Sequence, residues 1–360
     1  MSYNPFIKGN YPVGVRTIDL EGVNGKYITE VWYPAADEYR GVEAIDTFKF
    51  VDELPAATQE ATRDAKPADK KRPLVMYWHG GYGHRREMAA MNVFLASHGF
   101  TIVAPDFPGD NVRDTFGSDP LMAKRSIDES AKARPIQGAE IIEMLATSDD
   151  EFISSVIDAS KVGSFGMSMG GYTTLAVKSE SSRMKASVAI CPMGGRRSMI
   201  AGVRRLSGLL RTDDWKSGVS TFVLTGSEDC FVIADDVRDL FERIVEPKRL
   251  AVLNGAGHIH WADNAEVIHE TMRARYASGE FPDPELDGPE LARRMRPFSE
   301  LCPAWHATDT MYAITLAQFE AILKDKAEAK AFLENDLAGT FEARGIDLEV
   351  DGERAKSRYA

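Results

Sequence analysis

The sequence predicts an α/β protein: a mostly parallel, doubly wound sheet, opened by antiparallel strands and carrying lid-like excursions above it. Three observations predict it. Short apolar runs alternate with amphipathic helical stretches from residue 73 to residue 253, the pattern of βαβ units. Two runs near the start alternate apolar and polar residues on either side of a Gly-containing turn. A third apolar run ends in Gly166-Met167-Ser168-Met169-Gly170, directly before a helix-forming stretch.

Taken in order, residues 13–20 and 27–33 are expected to pair as antiparallel strands at a sheet edge around the turn at 22–25. Residues 36–72, rich in Ala, Asp, Glu and Lys, are expected to form a surface insertion with one short helix. Strand 74–78, helix 86–98 and strand 100–104 then make the first parallel unit. Helix 131–146, strand 162–165 and the helix after Ser168 make the second. Strands 186–191, 221–225 and 249–253, with a helix at 234–244, continue the sheet. Residues 193–218 and 264–297 interrupt the alternation and are expected above the sheet, where lids and substrate loops sit. Helices are expected at 311–323 and 326–337. One domain over 1–345 results, with 346–360 expected to fray.

Composition narrows the function. Of 360 residues, 44% are apolar and 27% charged, as in a globular protein, and no apolar run is long enough to span a bilayer. A formal charge of −12 argues against nucleic-acid or anionic-membrane partners. The start, MSYNPFIKGNYPVGVRTI, lacks a signal-peptide core, so a cytoplasmic location is expected. Cys191, Cys230 and Cys302 have no metal-type spacing and read as packed thiols. The expected partners are a small-molecule ester and, at most, a second copy of the chain in a homodimer.

The chemistry gathers at Ser168. Gly166 and Gly170 flank it as a turn too sharp for side chains requires, which lifts the hydroxyl out and sets the Met169 N–H at a helix N-terminus, ready for an oxyanion. A serine nucleophile needs a histidine base, and the base needs an orienting carboxylate. Asp229, just beyond strand 221–225, is the candidate acid, with Glu228 as its competitor. His258, just beyond strand 249–253, is the candidate base. His260 follows two residues later, but H-x-H without a third ligand nearby does not make a metal site, and no metal is expected.

The second oxyanion donor is expected from His79-Gly80-Gly81-Tyr82-Gly83, with the Gly81 N–H first and the Tyr82 N–H second. His79 and His84 precede the nucleophile, and His79 is expected to brace this loop. Tyr82, Phe107 and Trp261 lie on loops expected to wall the pocket. Arg196 and Arg197 are either a clamp for a substrate carboxylate or solvated surface residues.

These residues resemble a known group: the α/β-hydrolases related to platelet-activating factor acetylhydrolase, bacterial polyester-cleaving cutinases and predicted dienelactone hydrolases. The likeness is carried by Tyr11-Pro12-Val13-Gly14-Val15-Arg16, Glu30-Val31-Trp32-Tyr33-Pro34, His79-Gly80-Gly81 and Leu95-Ala96-Ser97-His98-Gly99-Phe100. It continues through Gly166-Met167-Ser168-Met169-Gly170-Gly171, Gly257-His258 with Trp261 and Asp263, and a final helix holding Phe319 and Leu323-Lys324. The resemblance implies a Ser168-Asp229-His258 triad, an oxyanion hole from the Gly81 loop plus Met169, no cofactor, and hydrolysis of a carboxylic ester with a small or medium acyl group. True dienelactone hydrolases look like cysteine-nucleophile enzymes, whereas the elbow here carries a serine. A dienelactone-hydrolase-like activity, amide cleavage or acyl transfer by the same triad is the enzymatic alternative, and a non-catalytic binding protein of this fold is disfavoured because all three triad members are present.

Overall fold

The computed structural model describes residues 3–351 apart from 43, 50–56, 199, 213–214, 216–217 and 280–286. Among the described residues twelve strands form: β1 (Val13–Gly22), β2 (Gly25–Pro34), β3 (Asp46–Phe48), β4 (Ala57–Gln59), β5 (Thr62–Arg63), β6 (Arg72–Trp78), β7 (Thr101–Pro105), β8 (Ile157–Met167), β9 (Met184–Ile190), β10 (Ser220–Gly226), β11 (Lys248–Leu253) and β12 (Leu348–Val350). Ten of them make one sheet in the order β12-β11-β10-β9-β8-β6-β7-β2-β1-β5. The run from β7 to β11 is parallel throughout. Antiparallel pairing is confined to the flanks, at β1–β2, β2–β7 and β11–β12. This is the doubly wound sheet that the alternation predicted.

Helices cover both faces. On one lie Ala89–Ser97 and Ala304–Leu323, packed on a core that includes Val75, Phe165, Val188 and Leu224. On the other lie Ile127–Ala146, Met169–Glu180 and Ala234–Arg243. Alternate residues of each central strand face opposite sides and both sides are covered, so these strands read as near-continuous apolar runs. Helix Ala304–Leu323 comes close enough that a Cβ on Gly163 would lie 2.9 Å from the Phe319 ring, and the small residue is what lets the helix seat.

Three expectations need correction. The 36–72 insertion holds more than a short helix: β3 and β4 pair as a hairpin, and β5 adds an edge strand beside β1. Gln59 ties the hairpin down, accepting from Trp32 Nε1 at 2.6 Å and donating to Asp46 at 2.8 Å. Helix Ala304–Leu323 starts well before residue 311, directly after Pro303. The tail does not fray from 346, because Ile346 and Leu348 are fully buried and β12 closes the sheet edge against β11 as far as Val350. Residues 352–360 lie outside the described chain.

Candidate active site

Strand β8 runs through the middle of the sheet and ends at Met167, directly before Ser168, whose φ is 59° and ψ −117°. A non-glycine residue pays strain in that region, and such strain persists only where the surroundings enforce it. Here they do. A Cβ on Gly170 would lie 1.9 Å from the Trp78 carbonyl oxygen, and one on Gly166 2.4 Å from the same atom. The Ser168 N–H donates to the Ile190 carbonyl at 2.8 Å, and helix Met169–Glu180 begins at the next residue. Side chain and helix N-terminus therefore open into one cavity of about 240 Å³.

Two other chain segments bring polar groups to it. After β10, Asp229 Oδ1 accepts the N–H groups of Phe231 and Val232, each at 2.8 Å, which fixes its carboxylate plane. Its Oδ2 accepts from His258 Nδ1 at 2.6 Å, so Nδ1 carries a proton and Nε2 is the nitrogen left for proton exchange. Phe231 packs on the imidazole with ring centroids 5.0 Å apart. His258 and Ser168 line the same cavity. No hydrogen bond joins them in this geometry, the looser arrangement seen in catalytic pairs before substrate orders them.

The competitors of sequence reasoning go elsewhere. Glu228 turns out towards Arg296, 3.5 Å away. His260 is buried: Gly257 N–H donates to its Nδ1, its Nε2 donates to the Cys302 carbonyl, and it stacks on Phe298 at 4.4 Å. Burial lowers its pKa to about 4, so it stays neutral. Among the described residues the one gathering of three metal-type ligands is Cys191, Asp229 and His258, within 4.8 Å of one another. Burial and the adjacent carboxylate hold the Cys191 thiol well above its usual range, and Nδ1 of His258 is already engaged by Asp229.

Opposite Ser168 lies the loop after β6. Gly80 N–H donates to Glu87 Oε2 at 2.7 Å and Tyr82 N–H to Asp110 Oδ1 at 3.0 Å, so the second-choice oxyanion donor is already spent. Gly81 N–H has no acceptor among the described residues, and neither has Met169 N–H. The two residues adjoin, since a Cβ on Gly81 would be 3.7 Å from Met169 Cβ. His79 braces the loop: its Nε2 accepts from Phe107 N–H at 3.2 Å and its Nδ1 donates to the Gly80 carbonyl at 2.7 Å. Burial, then the Arg134 charge, keeps it neutral. Arg134, wholly buried, binds Asp110 at 2.7 Å and the carbonyls of His79 and Gly80.

Of the three aromatic wall residues expected, only Tyr82 lines the cavity. Phe107 is fully buried against Trp78 and under the Arg134 guanidinium. Trp261 belongs to the core on the helix Ala304–Leu323 side, because the turn His258–Trp261 rolls its ring away from the serine. The walls come instead from the two excursions: Met193 and Val203 from the first, Ile268, Met272 and Tyr276 from the second. Arg196 is outside, paired with Asp239 at 2.8 Å, and Arg197 is largely exposed. Glu87, which also lines the cavity, falls within the helix expected at 86–98, but that helix begins only at Ala89 and Glu87 sits in the turn before it, where no motif spacing marked it as a site residue.

A central strand ending in a strained serine, with an acid and a histidine delivered by later strand ends, defines an α/β-hydrolase. The model of the dienelactone hydrolase family matches residues 61–278, and the chain belongs to that family. It is thus a hydrolase, and Ser168, Asp229 and His258 all fall within the matched segment. No curated protein sequence matches the chain significantly. Among solved structures it is similar to a ferulic acid esterase from Streptomyces cinnamoneus, with a TM-score of 0.58 and 16% identity over 88% of this chain and 91% of that one. At that identity the likeness is one of fold.

Proposed function

We propose that the chain is a serine carboxylesterase acting through an acyl-enzyme. Ser168 Oγ attacks the ester carbonyl while His258 Nε2 takes its proton. The tetrahedral oxyanion is held by the N–H groups of Gly81 and Met169. His258 then gives the proton to the departing alcohol, and water repeats the sequence on the acyl group to return the acid and free Ser168. Asp229 keeps the proton on Nδ1 and stabilises the imidazolium. The chemistry needs no cofactor.

The observation that carries the reading is the 2.6 Å Asp229–His258 bond beside the strained serine in one cavity. The cavity walls support a small or medium acyl or aryl group, since Met167, Met193, Met272 and Phe231 are apolar and about 240 Å³ holds little more. The name of the ferulic acid esterase makes ethyl ferulate a useful aryl probe. Turnover of p-nitrophenyl acetate and butyrate by the wild type, falling about a million-fold in Ser168→Ala, is expected. Turnover surviving that substitution refutes the serine mechanism.

A further inference from the structure

Among the described residues, the cavity over Ser168 is lined by two carboxylates, Glu87 and Asp110, and by no lysine or arginine. Lys124 sits 4.3 Å over the Tyr82 ring but does not line it. The two acids differ. Asp110 is compensated: one oxygen accepts from Arg134 at 2.7 Å and the other from Tyr82 N–H. In Glu87, Oε2 accepts from Gly80 N–H at 2.7 Å and from Tyr77 OH at 2.9 Å, while Oε1 accepts nothing from the described chain. Oε1 is also not sealed away, for it is not one of the buried side-chain atoms that go unpartnered, and Glu87 keeps part of its surface exposed. Gly80 and Gly83 leave it room, since a Cβ at either would lie 3.3 or 2.8 Å from Oε1. One carboxylate oxygen is thus anchored, and its twin is presented to an otherwise apolar cavity.

A carboxylate oxygen that is reachable yet accepts nothing from the described chain at a largely apolar wall asks for a donor. We propose that Glu87 determines specificity: its Oε1 accepts a hydrogen bond from a hydroxyl or ammonium group on an otherwise apolar ester and repels esters that carry a carboxylate. The proposal rests on the esterase reading above. It also disposes of the arginine clamp, because Arg196 and Arg197 lie outside the cavity. Burial pushes the Glu87 carboxyl upward, so the comparison is made at several pH values and read where the ratios no longer change towards alkaline pH.

The test compares kcat/KM of the full-length protein for p-nitrophenyl butyrate, p-nitrophenyl 3-hydroxybutyrate and mono-p-nitrophenyl succinate. Butyrate and 2-hydroxyethyl butyrate esters of matched length, followed by acid release, cover a donor on the alcohol side. The wild type should prefer one hydroxyl-bearing ester about tenfold over its deoxy match and disfavour the succinate by on the order of 10- to 100-fold. Glu87→Gln keeps an oxygen for Gly80 N–H and Tyr77 OH but turns an NH₂ group to the cavity, so both ratios should fall towards one. A wild type that hydrolyses the succinate as well as butyrate overturns the proposal without any variant. So do ratios that Glu87→Gln leaves unmoved, which would make Glu87 only a brace of the Gly80 loop. Should no ester be turned over, the esterase reading has failed instead. The affinities of the same esters for Ser168→Ala, measured by calorimetry, then decide the Glu87 proposal independently: equal affinity for succinate and butyrate refutes it.

Discussion

Replacing Asp229 by Asn tests the proposed relay at one proton. The Asp229 Oδ1 position accepts two backbone N–H groups, each at 2.8 Å, so an Asn there must keep its carbonyl oxygen in that place. Its NH₂ then occupies the Oδ2 position, 2.6 Å from His258 Nδ1, and now donates. Nδ1 has to accept, which moves the proton to Nε2, the nitrogen that should take one from Ser168. The side chain keeps its volume and its backbone bonds, so the fold should hardly notice. For a serine hydrolase with a triad, the tautomer error is expected to lower kcat by about ten-thousandfold, with KM little changed. Steady-state hydrolysis of p-nitrophenyl butyrate reads both constants, and thermal unfolding verifies the structure. A loss smaller than about tenfold in a folded Asp229→Asn protein would refute the relay and reopen Glu228 as the acid.

Further expectations concern the scaffold. Gly170→Ala places a Cβ 1.9 Å from the Trp78 carbonyl, so it should destabilise by about 2 kcal/mol or more and dislodge the elbow, read as a lower Tm with lost turnover. Arg134→Met strands buried Asp110 and unties the Gly80 loop, so chemical denaturation should show a loss of about 3–5 kcal/mol. Lys178 is buried beside Thr221 Oγ1 at 2.8 Å, and burial lowers its pKa from 10.5 to about 8. Between pH 8 and 10.5 the unfolded chain binds a proton that the folded one does not, so stability rises with pH across that window, and as pH falls back across it the stability is lost, the full cost being reached by about pH 8. The displacement corresponds to about 3 kcal/mol, so Lys178→Met should gain stability over the wild type near pH 7 and lose that advantage by pH 10. An advantage independent of pH would contradict the assignment.

Much of this was legible in the residues because local chemistry dictates it. The elbow needs glycine at 166 and 170 whatever surrounds it, and the parallel strands announce themselves as apolar runs between helices. Chain order was enough to put Asp229 and His258 at strand ends beside Ser168. Side-chain direction on loops was not legible. Phe107 and Trp261 lie on the expected segments, yet their rings turn into the core because the neighbouring turns aim them there. The strand Leu348–Val350 and the hairpin of Asp46–Phe48 with Ala57–Gln59 are three residues each, too short for a period to show. Their stability comes from partners remote in sequence, such as Trp32 for Gln59 and Arg238 for Glu349. Glu87 became visible only when the fold set it against the Gly80 N–H.

The measurement that bears most directly on the central claim is covalent capture of the nucleophile. The protein is mixed with diethyl p-nitrophenyl phosphate, digested and read by mass spectrometry while residual turnover of p-nitrophenyl butyrate is followed. The account predicts one diethylphosphoryl group per chain, on the peptide holding Ser168, appearing in step with loss of activity and absent from Ser168→Ala. Inactivation with the label on any other residue, or full labelling of Ser168 with turnover intact, would contradict it.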